Sequence, residues 1–543
     1  MQTSPIIVDG EGLTLANLIR VARDGAHVEL SSSPAVRARI DASRRHVEDV
    51  VAAGRPVYGV TTRLGGLATA LLTPDEARDM QNNALWMHKT GAGHAIDRAD
   101  VRAGMLLRLN SLMRGASGIR FELLERLQLF LNRSITPVVH EFGSIGASGD
   151  LVPLSYIAGA LIGSEAGYAV HFEQRIIDAR EALASIGLAP LKLEAKEGLA
   201  LINGTSLSTA IAGGCLWDAS RLIDITLGFH AVALEALRTS MEPFDPFVQG
   251  LKPHPGQLWV AGRMRALLAG SRLTRQANAG EPAIVDGLIQ DRYSLRCLPQ
   301  FLGPLVEGIR HAAQEVEIEM NAVSDNPLID ETGRFFQNGN FLAQTPALAM
   351  DHLRQYLGLA AKHADAQIAL LMTPEFSGGL PASLVGNERN RANMGLKGLQ
   401  LTGNSMMPLL TFLGNTFVDR FPTHAEQFNQ NINSLSYTAS LLARESIRVY
   451  AQYISIALLA AMQALDLRAY AICGSYDPRG LLGGRTAQLY EAVRAVLDRP
   501  PSAAAPLVRD DHDQALDLAI AAVSRDVATG KTIHGALGSD HLL

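Results

Sequence analysis

The residues with the most chemical promise lie in the run from Gly143 to Gly163, GSIGASGDLVPLSYIAGALIG, a loop of small residues leading into an apolar stretch. At its centre stand Ala147, Ser148 and Gly149. A backbone can cyclise at such a triplet only when the attacking amide nitrogen is unhindered, as glycine's is. Loss of water from the serine leaves an exocyclic methylidene, and the two dehydrations together give a methylidene-imidazolone, an electrophile made from the chain itself. Read for structure alone, the same run is a glycine-rich turn before a buried helix, with Asp150 as N-cap and Pro153 in the first turn.

Competing chemistries lack their residues. No G-x-G-x-x-G opens a helix after a strand, and neither G-x-x-x-x-G-K-[ST] nor H-E-x-x-H occurs. A nucleophile elbow around Ser148 would need glycine where Asp150 stands. Cys215, Cys297 and Cys473 are too scattered for a disulfide scaffold or a zinc site, which points to a reducing cytoplasm and to no metal. Lys+Arg 48 against Asp+Glu 54 gives a net charge of −6, without the basic surface that nucleic acid or anionic lipid requires. The start, MQTSPIIVDGEG, lacks a signal-peptide pattern, and no run reaches the roughly 18 uninterrupted apolar residues of a membrane span. The expectation is a soluble cytoplasmic protein with neither a nucleic acid nor a membrane partner.

The elements that must position the triplet follow from pattern. At 543 residues, 47% hydrophobic and 19% charged, the chain belongs with large, well-buried globular proteins. The run from Thr423 to Cys473 contains neither glycine nor proline, and residues 439–472 as one helix would span about 50 Å, a length natural to a large bundle. Ile309, Ala312, Ala313, Val316 and Met320 share one helical face, with a stop at Ser324, Asp325, Asn326 and Pro327. The first 200 residues, with closely spaced Gly and Pro and β-branched stretches such as PVYGVTT and SITPVVHEF, read as short helices and small strands. The expected division is a mixed N-terminal domain over 1–202 carrying the loop, a long-helix bundle over 203–475, and short C-terminal helices over 476–543 set apart by RPPSAAAP.

Beyond GSIGASGDLVPLSYI, the segments VYGVTT, QNNALWMHKTGAG, MRGASGIR, KEGLALINGTS, KPHPGQLW, QDRYSLRCLPQ, SDNPLID and THAEQFNQNINS complete a series along nearly the whole chain. In them the sequence resembles the aromatic amino acid ammonia-lyase and aminomutase family, and most closely its bacterial phenylalanine ammonia-lyases. The resemblance implies a mainly α fold, the long-helix bundle of the aspartase/fumarase-like type, and a homotetramer whose sites draw residues from three chains. It also implies a methylidene-imidazolone formed from Ala147-Ser148-Gly149, with no metal and no exchangeable cofactor.

Elimination of ammonia must break a bond to a poor leaving group and remove a scarcely acidic benzylic proton, so an electrophile and a positioned base divide the work. The resemblance gives Tyr58 the role of base, although a phenol near pKa 10 needs positive charge or hydrogen-bond donors to serve at neutral pH. Tyr293 is carried over as a second phenol near the ring, and Arg296 as the fork for the substrate carboxylate. Asn203 would hold the ring's carbonyl and Asn326 the carboxylate, while Gln344, Lys397, Glu426 and Gln430 match further polar positions of the site.

Ala84 and His88 fall where close bacterial phenylalanine enzymes have leucines, leaving more room and an imidazole, which suits a para-substituted ring. Histidine ammonia-lyases place a glutamate where this chain has Gln430, which ranks histidine below phenylalanine and tyrosine as substrate. Arg63 and Leu64 replace the usual Gly-Phe or Gly-Tyr of the lid loop. A stiffer lid that retains the products would favour readdition of ammonia and a 2,3-aminomutase. The expectations are therefore a lyase giving cinnamate or coumarate, then an aminomutase, a histidine ammonia-lyase, and a helical scaffold without activity.

Overall fold

The later part of the stretch without glycine or proline forms the helix Ser436–Cys473, 38 residues long, while 424–435 are turns and loop. In the computed structural model, which describes residues 4–275, 289–420 and 424–543, it is the longest of several such rods. Met1 to Thr3, at the start of the N-terminal run, and Thr423, at the start of the Gly/Pro-free run, lie outside the described residues. The helices Ser206–Ala236, Leu298–Met320 and Gln344–Met372 are the other long ones, confirming a mainly α, long-helix bundle with a smaller mixed N-terminal region. The face predicted from Ile309 belongs to the Leu298–Met320 helix, which starts earlier, carries Pro304 inside it, and ends ahead of the Ser324 to Pro327 stop. Ser436–Cys473 is also long and apolar enough to cross a membrane, but 78% of its most apolar window is buried within the protein.

The chain divides into two compact units. The first comprises 1–215, 312–351 and 416–444. Its strands are short: Ile6–Val8 runs parallel to Val28–Leu30, and Ala92–Ala95 pairs antiparallel with His140–Phe142. Thr136–Pro137, Ala169–Phe172 and Arg175–Asp178 make a three-stranded antiparallel sheet, and Leu328–Ile329 pairs with Phe335–Phe336. The segment SITPVVHEF thus supplies two strands, as its composition predicts. PVYGVTT does not form a strand. Thr61 Oγ1 donates to Arg55 O at 2.6 Å and accepts from Val57 N, while Thr62 Oγ1 accepts from Gly59 N, so these hydroxyls fold the segment into consecutive turns.

The second unit comprises 216–311, 352–415 and 445–543. It is helical, and RPPSAAAP separates Gly484–Val496 from Asp517–Thr529 as its prolines predict.

One buried ion pair ties three parts of the first unit together. Lys196 Nζ donates to Asp325 Oδ2 at 2.7 Å, both side chains have 0% exposure, and Ser117 Oγ donates to the other carboxylate oxygen at 2.8 Å. Two charges this deep are tolerable only as a hydrogen-bonded pair. Removing one partner strands the other. Lys196→Met is expected to destabilise the protein by about 3–5 kcal/mol, read as a large fall in melting temperature, and an unchanged value would contradict the assigned role.

Candidate active site

Glycine is required where the chemically promising loop meets its neighbour. Gly149 has φ +67° and lies against Gly204 so closely that a Cβ would fall 2.1 Å from Gly204 O. Asp150 N donates to that carbonyl at 2.7 Å. On its other side Gly204 faces the buried Arg108, whose Nη1 would be 2.1 Å from a Cβ there. The loop is further held by Ser434, whose N and Oγ both donate to Gly146 O, at 3.1 and 2.9 Å.

Asp150 occupies the N-cap of the Leu151–Ile162 helix, with Pro153 in the first turn, but its side chain makes no bond to that helix. Its Oδ2 instead accepts from Leu207 N and Ser208 N, at 3.1 and 2.8 Å, and so caps the Ser206–Ala236 helix. Burial pushes its carboxyl up to about 6, against the pull of the Ser208 donors.

Ala147 and Ser148 line a cavity of about 490 Å3, built wholly from the first unit. Asn203 is the organising side chain. Its Nδ2 donates to Ser148 O at 2.9 Å, its Oδ1 accepts from Asn326 N at 2.8 Å, and its carbonyl accepts from Arg108 Nη1 at 2.8 Å. Gln430 Nε2 donates to Ser148 Oγ at 3.2 Å. Asn326 Oδ1 accepts from Asn338 N at 2.9 Å, which fixes its amide.

Tyr58 lines the same cavity, and its hydroxyl accepts from Gly65 N at 3.0 Å. Burial raises its pKa above the ordinary phenol value, Gly65 opposes that, and the charge of Glu426, another lining residue, adds to it. His88, the residue after the Pro74–Met87 helix, places Nδ1 2.7 Å from Ala84 O. A carbonyl only accepts, so Nδ1 carries the proton and Nε2 is left as an acceptor. Burial lowers the ring's pKa, partly offset by the Ala84 carbonyl and Glu426, so the imidazole is neutral.

Of the residues the sequence proposes, Tyr58, His88, Ala147, Ser148, Asn203, Asn326, Glu426 and Gln430 line the cavity, and Gly149 adjoins it through the triplet. Ala84 is buried and meets His88 through its carbonyl; it is not among the lining residues. Gln344 opens the Gln344–Met372 helix and is not among them either. Tyr293, Arg296 and Lys397 belong to the second unit. Tyr293 is 73% exposed, with the Arg296 guanidinium 4.7 Å over its ring. Sequence reasoning missed Leu151, Leu199, Gln337, Gly339, Phe341, Leu342, Asn429, Asn431 and Ile432. Leu151 and Leu199 stand inside quoted motifs, whereas Gln337 to Leu342 follow no periodic pattern.

A family model described as Aromatic amino acid lyase matches residues 13–495. The phenylalanine ammonia-lyase of Nostoc punctiforme is 50% identical, covering 98% of this chain and 94% of that protein. The aromatic ammonia-lyase of Loktanella atrilutea is 45% identical over 98% of this chain and 97% of its own. Among solved structures, the phenylalanine aminomutase of Pantoea agglomerans superposes with a TM-score of 0.87 at 31% identity, covering 97% of this chain and 99% of that one.

The two glycine environments predict opposite outcomes. Gly204→Ala drives a methyl into Arg108 and is expected to cost about 1–3 kcal/mol of stability. At Gly339, which also lines the cavity, a Cβ meets nothing within 4 Å, and Gly339→Ala should stay within about 0.5 kcal/mol. Thermal unfolding of the two variants checks the pair.

Proposed function

The chain belongs to the aromatic amino acid lyase family and is a carbon–nitrogen lyase that eliminates ammonia from phenylalanine or tyrosine; we propose that it does so at the Ser148 cavity. The observation that carries this reading is the Asn203 amide bridging the Ser148 carbonyl and the Asn326 backbone at the cavity wall.

Family membership implies a methylidene-imidazolone at Ala147-Ser148-Gly149. The residues present fit it: the third position accommodates no side chain, and donors from Asn203 and Gln430 already address the Ser148 oxygens. When formed, the group supplies an electrophile that makes the substrate's amine a leaving group. The chain's own residues do the rest. Tyr58 takes the β-proton and Asn326 binds the carboxylate. Leu64, Leu151 and Leu199 give the aromatic ring an apolar wall.

Burial and Glu426 both oppose the Tyr58 phenolate, so a cation must be brought near it. Arg296 and Lys397 are the cations among the residues still to be supplied. We assign them, with Tyr293 and Gln344, to neighbouring copies in a homotetramer. The exposed Leu401, Leu409 and Phe412 on the Lys397–Leu413 helix support an interface there. The small number and wide scatter of its cysteines, Cys215, Cys297 and Cys473, support a reducing cytoplasm as its compartment.

His88 Nε2 is an acceptor suited to a para-hydroxyl, which favours tyrosine within the pair of substrates. A 2,3-aminomutase is the second reading. It is favoured by the lid, where Leu72 N donates to Thr61 O at 2.8 Å and Gly65 N binds Tyr58, cross-tying the loop that carries Leu64. Chromatographic detection of a β-amino acid would support it, and unsaturated acid with ammonia alone would remove it.

A panel of phenylalanine, tyrosine, dihydroxyphenylalanine and histidine, followed by the absorbance of the conjugated acid, tests the main reading. Ser148→Ala should abolish turnover; substantial activity in that variant would refute the assignment. His88→Leu should shift the kcat/KM preference from tyrosine towards phenylalanine by about tenfold or more, the worth of one hydrogen bond. Turnover that needs the Tyr58 phenolate rises with pH. Glu426→Gln removes a charge that raises this phenol, so its ascending limb should move to lower pH.

A further inference from the structure

Three polar side chains are buried in the second unit with no part in the chemistry described so far. His230, on the Ser206–Ala236 helix, and His363 and Gln367, one turn apart on Gln344–Met372, all lie in the core. Gln367 Nε2 donates to Ser294 O at 2.7 Å, within the Tyr293–Arg296 helix. Its Oε1 lies 2.8 Å from His230 Nδ1, and His230 Nε2 lies 3.3 Å from His363 Nδ1.

The direction of this chain follows from its end. Ser294 O only accepts, so the amide group of Gln367 facing it is NH2 and the face towards His230 is the oxygen. His230 must then carry its proton on Nδ1, leaving Nε2 to accept from His363 Nδ1–H. The bond between the two rings requires a neutral His230, since a second proton on its Nε2 would oppose the His363 donor. Burial lowers both rings, His230 well below its ordinary value and His363 to about 4. Phe301 stacks on His363 at 4.9 Å and fixes the far end.

We propose that Gln367, oriented by His230 and His363, is a positioning residue that sets Tyr293 and Arg296 for the reaction. The residue it grips is flanked by Tyr293 and lies two positions before Arg296, so a shift of the Ser294 backbone moves both side chains together. Leu295 of the same short helix is buried, and Gln367 adds a side-chain hydrogen bond to the helix backbone. This inference rests on the reading that Tyr293 and Arg296 act on substrate.

Gln367→Leu, with Gln367→Met as a second variant should the first fail to fold, is measured for kcat, KM and melting temperature in wild-type and Arg296→Ala backgrounds. In the wild-type background kcat/KM should fall by about 10²-fold, the scale of a catalytic group misplaced by 1 Å, chiefly through KM. In the Arg296→Ala background the same substitution should cost about tenfold less than in wild type, because only Tyr293 is left for it to position. Equal losses in both backgrounds, or kcat/KM within about twofold of wild type, would overturn the proposal. Unchanged turnover in both Arg296→Ala and Tyr293→Phe would instead remove the site reading itself, and the positioning role with it.

Discussion

The contact between Gly149 and Gly204 is the constraint on which the rest depends. Two backbones approach so closely that Gly149 can carry no side chain, and the approach brings Asp150 N onto Gly204 O and the Asn203 amide onto Ser148 O. Everything chemical about the loop follows from being pressed into that position. The third residue presents an unhindered nitrogen because its surroundings exclude a Cβ, and the same exclusion delivers donors to the serine.

Around this contact the protein buries charge in compensated form. Arg108 supports Gly204 and the Asn203 carbonyl from behind. Asp150 draws the start of the Ser206–Ala236 helix against the loop. Lys196 and Asp325 hold the segment that presents Asn326. Each group would be expensive alone, and together they leave the loop few alternative conformations. The cavity side is different in kind: a phenol and an imidazole are both held neutral, with one carboxylate near both.

Much of this was legible in the sequence, for identifiable reasons. A long run without glycine or proline favours helix, and it is helical over Ser436–Cys473, but its opening residues 424–435 are turns and loop that carry Glu426 and Gln430 to the cavity. The triplet was legible because cyclisation demands small residues in a fixed order. Local rules failed where tertiary partners compete. Asp150 reads as the cap of the helix it begins, yet its carboxylate serves a helix that starts more than fifty residues later. The β-branched residues of PVYGVTT read as strand, but two threonine hydroxyls spend themselves on the local backbone. Gln337, Phe341 and Leu342 reach the cavity from a loop with no period. Ala84 shows a subtler limit: spacing paired it correctly with His88, but through its carbonyl rather than its methyl.

Intact mass spectrometry of the freshly purified chain most directly tests whether the loop condenses into a ring. A mass lower than the sequence by two water molecules, with the loss confined to the peptide containing Ala147, Ser148 and Gly149, is the predicted result. The full sequence mass in a preparation that turns over substrate would contradict the account, because the electrophile would then have to come from somewhere else.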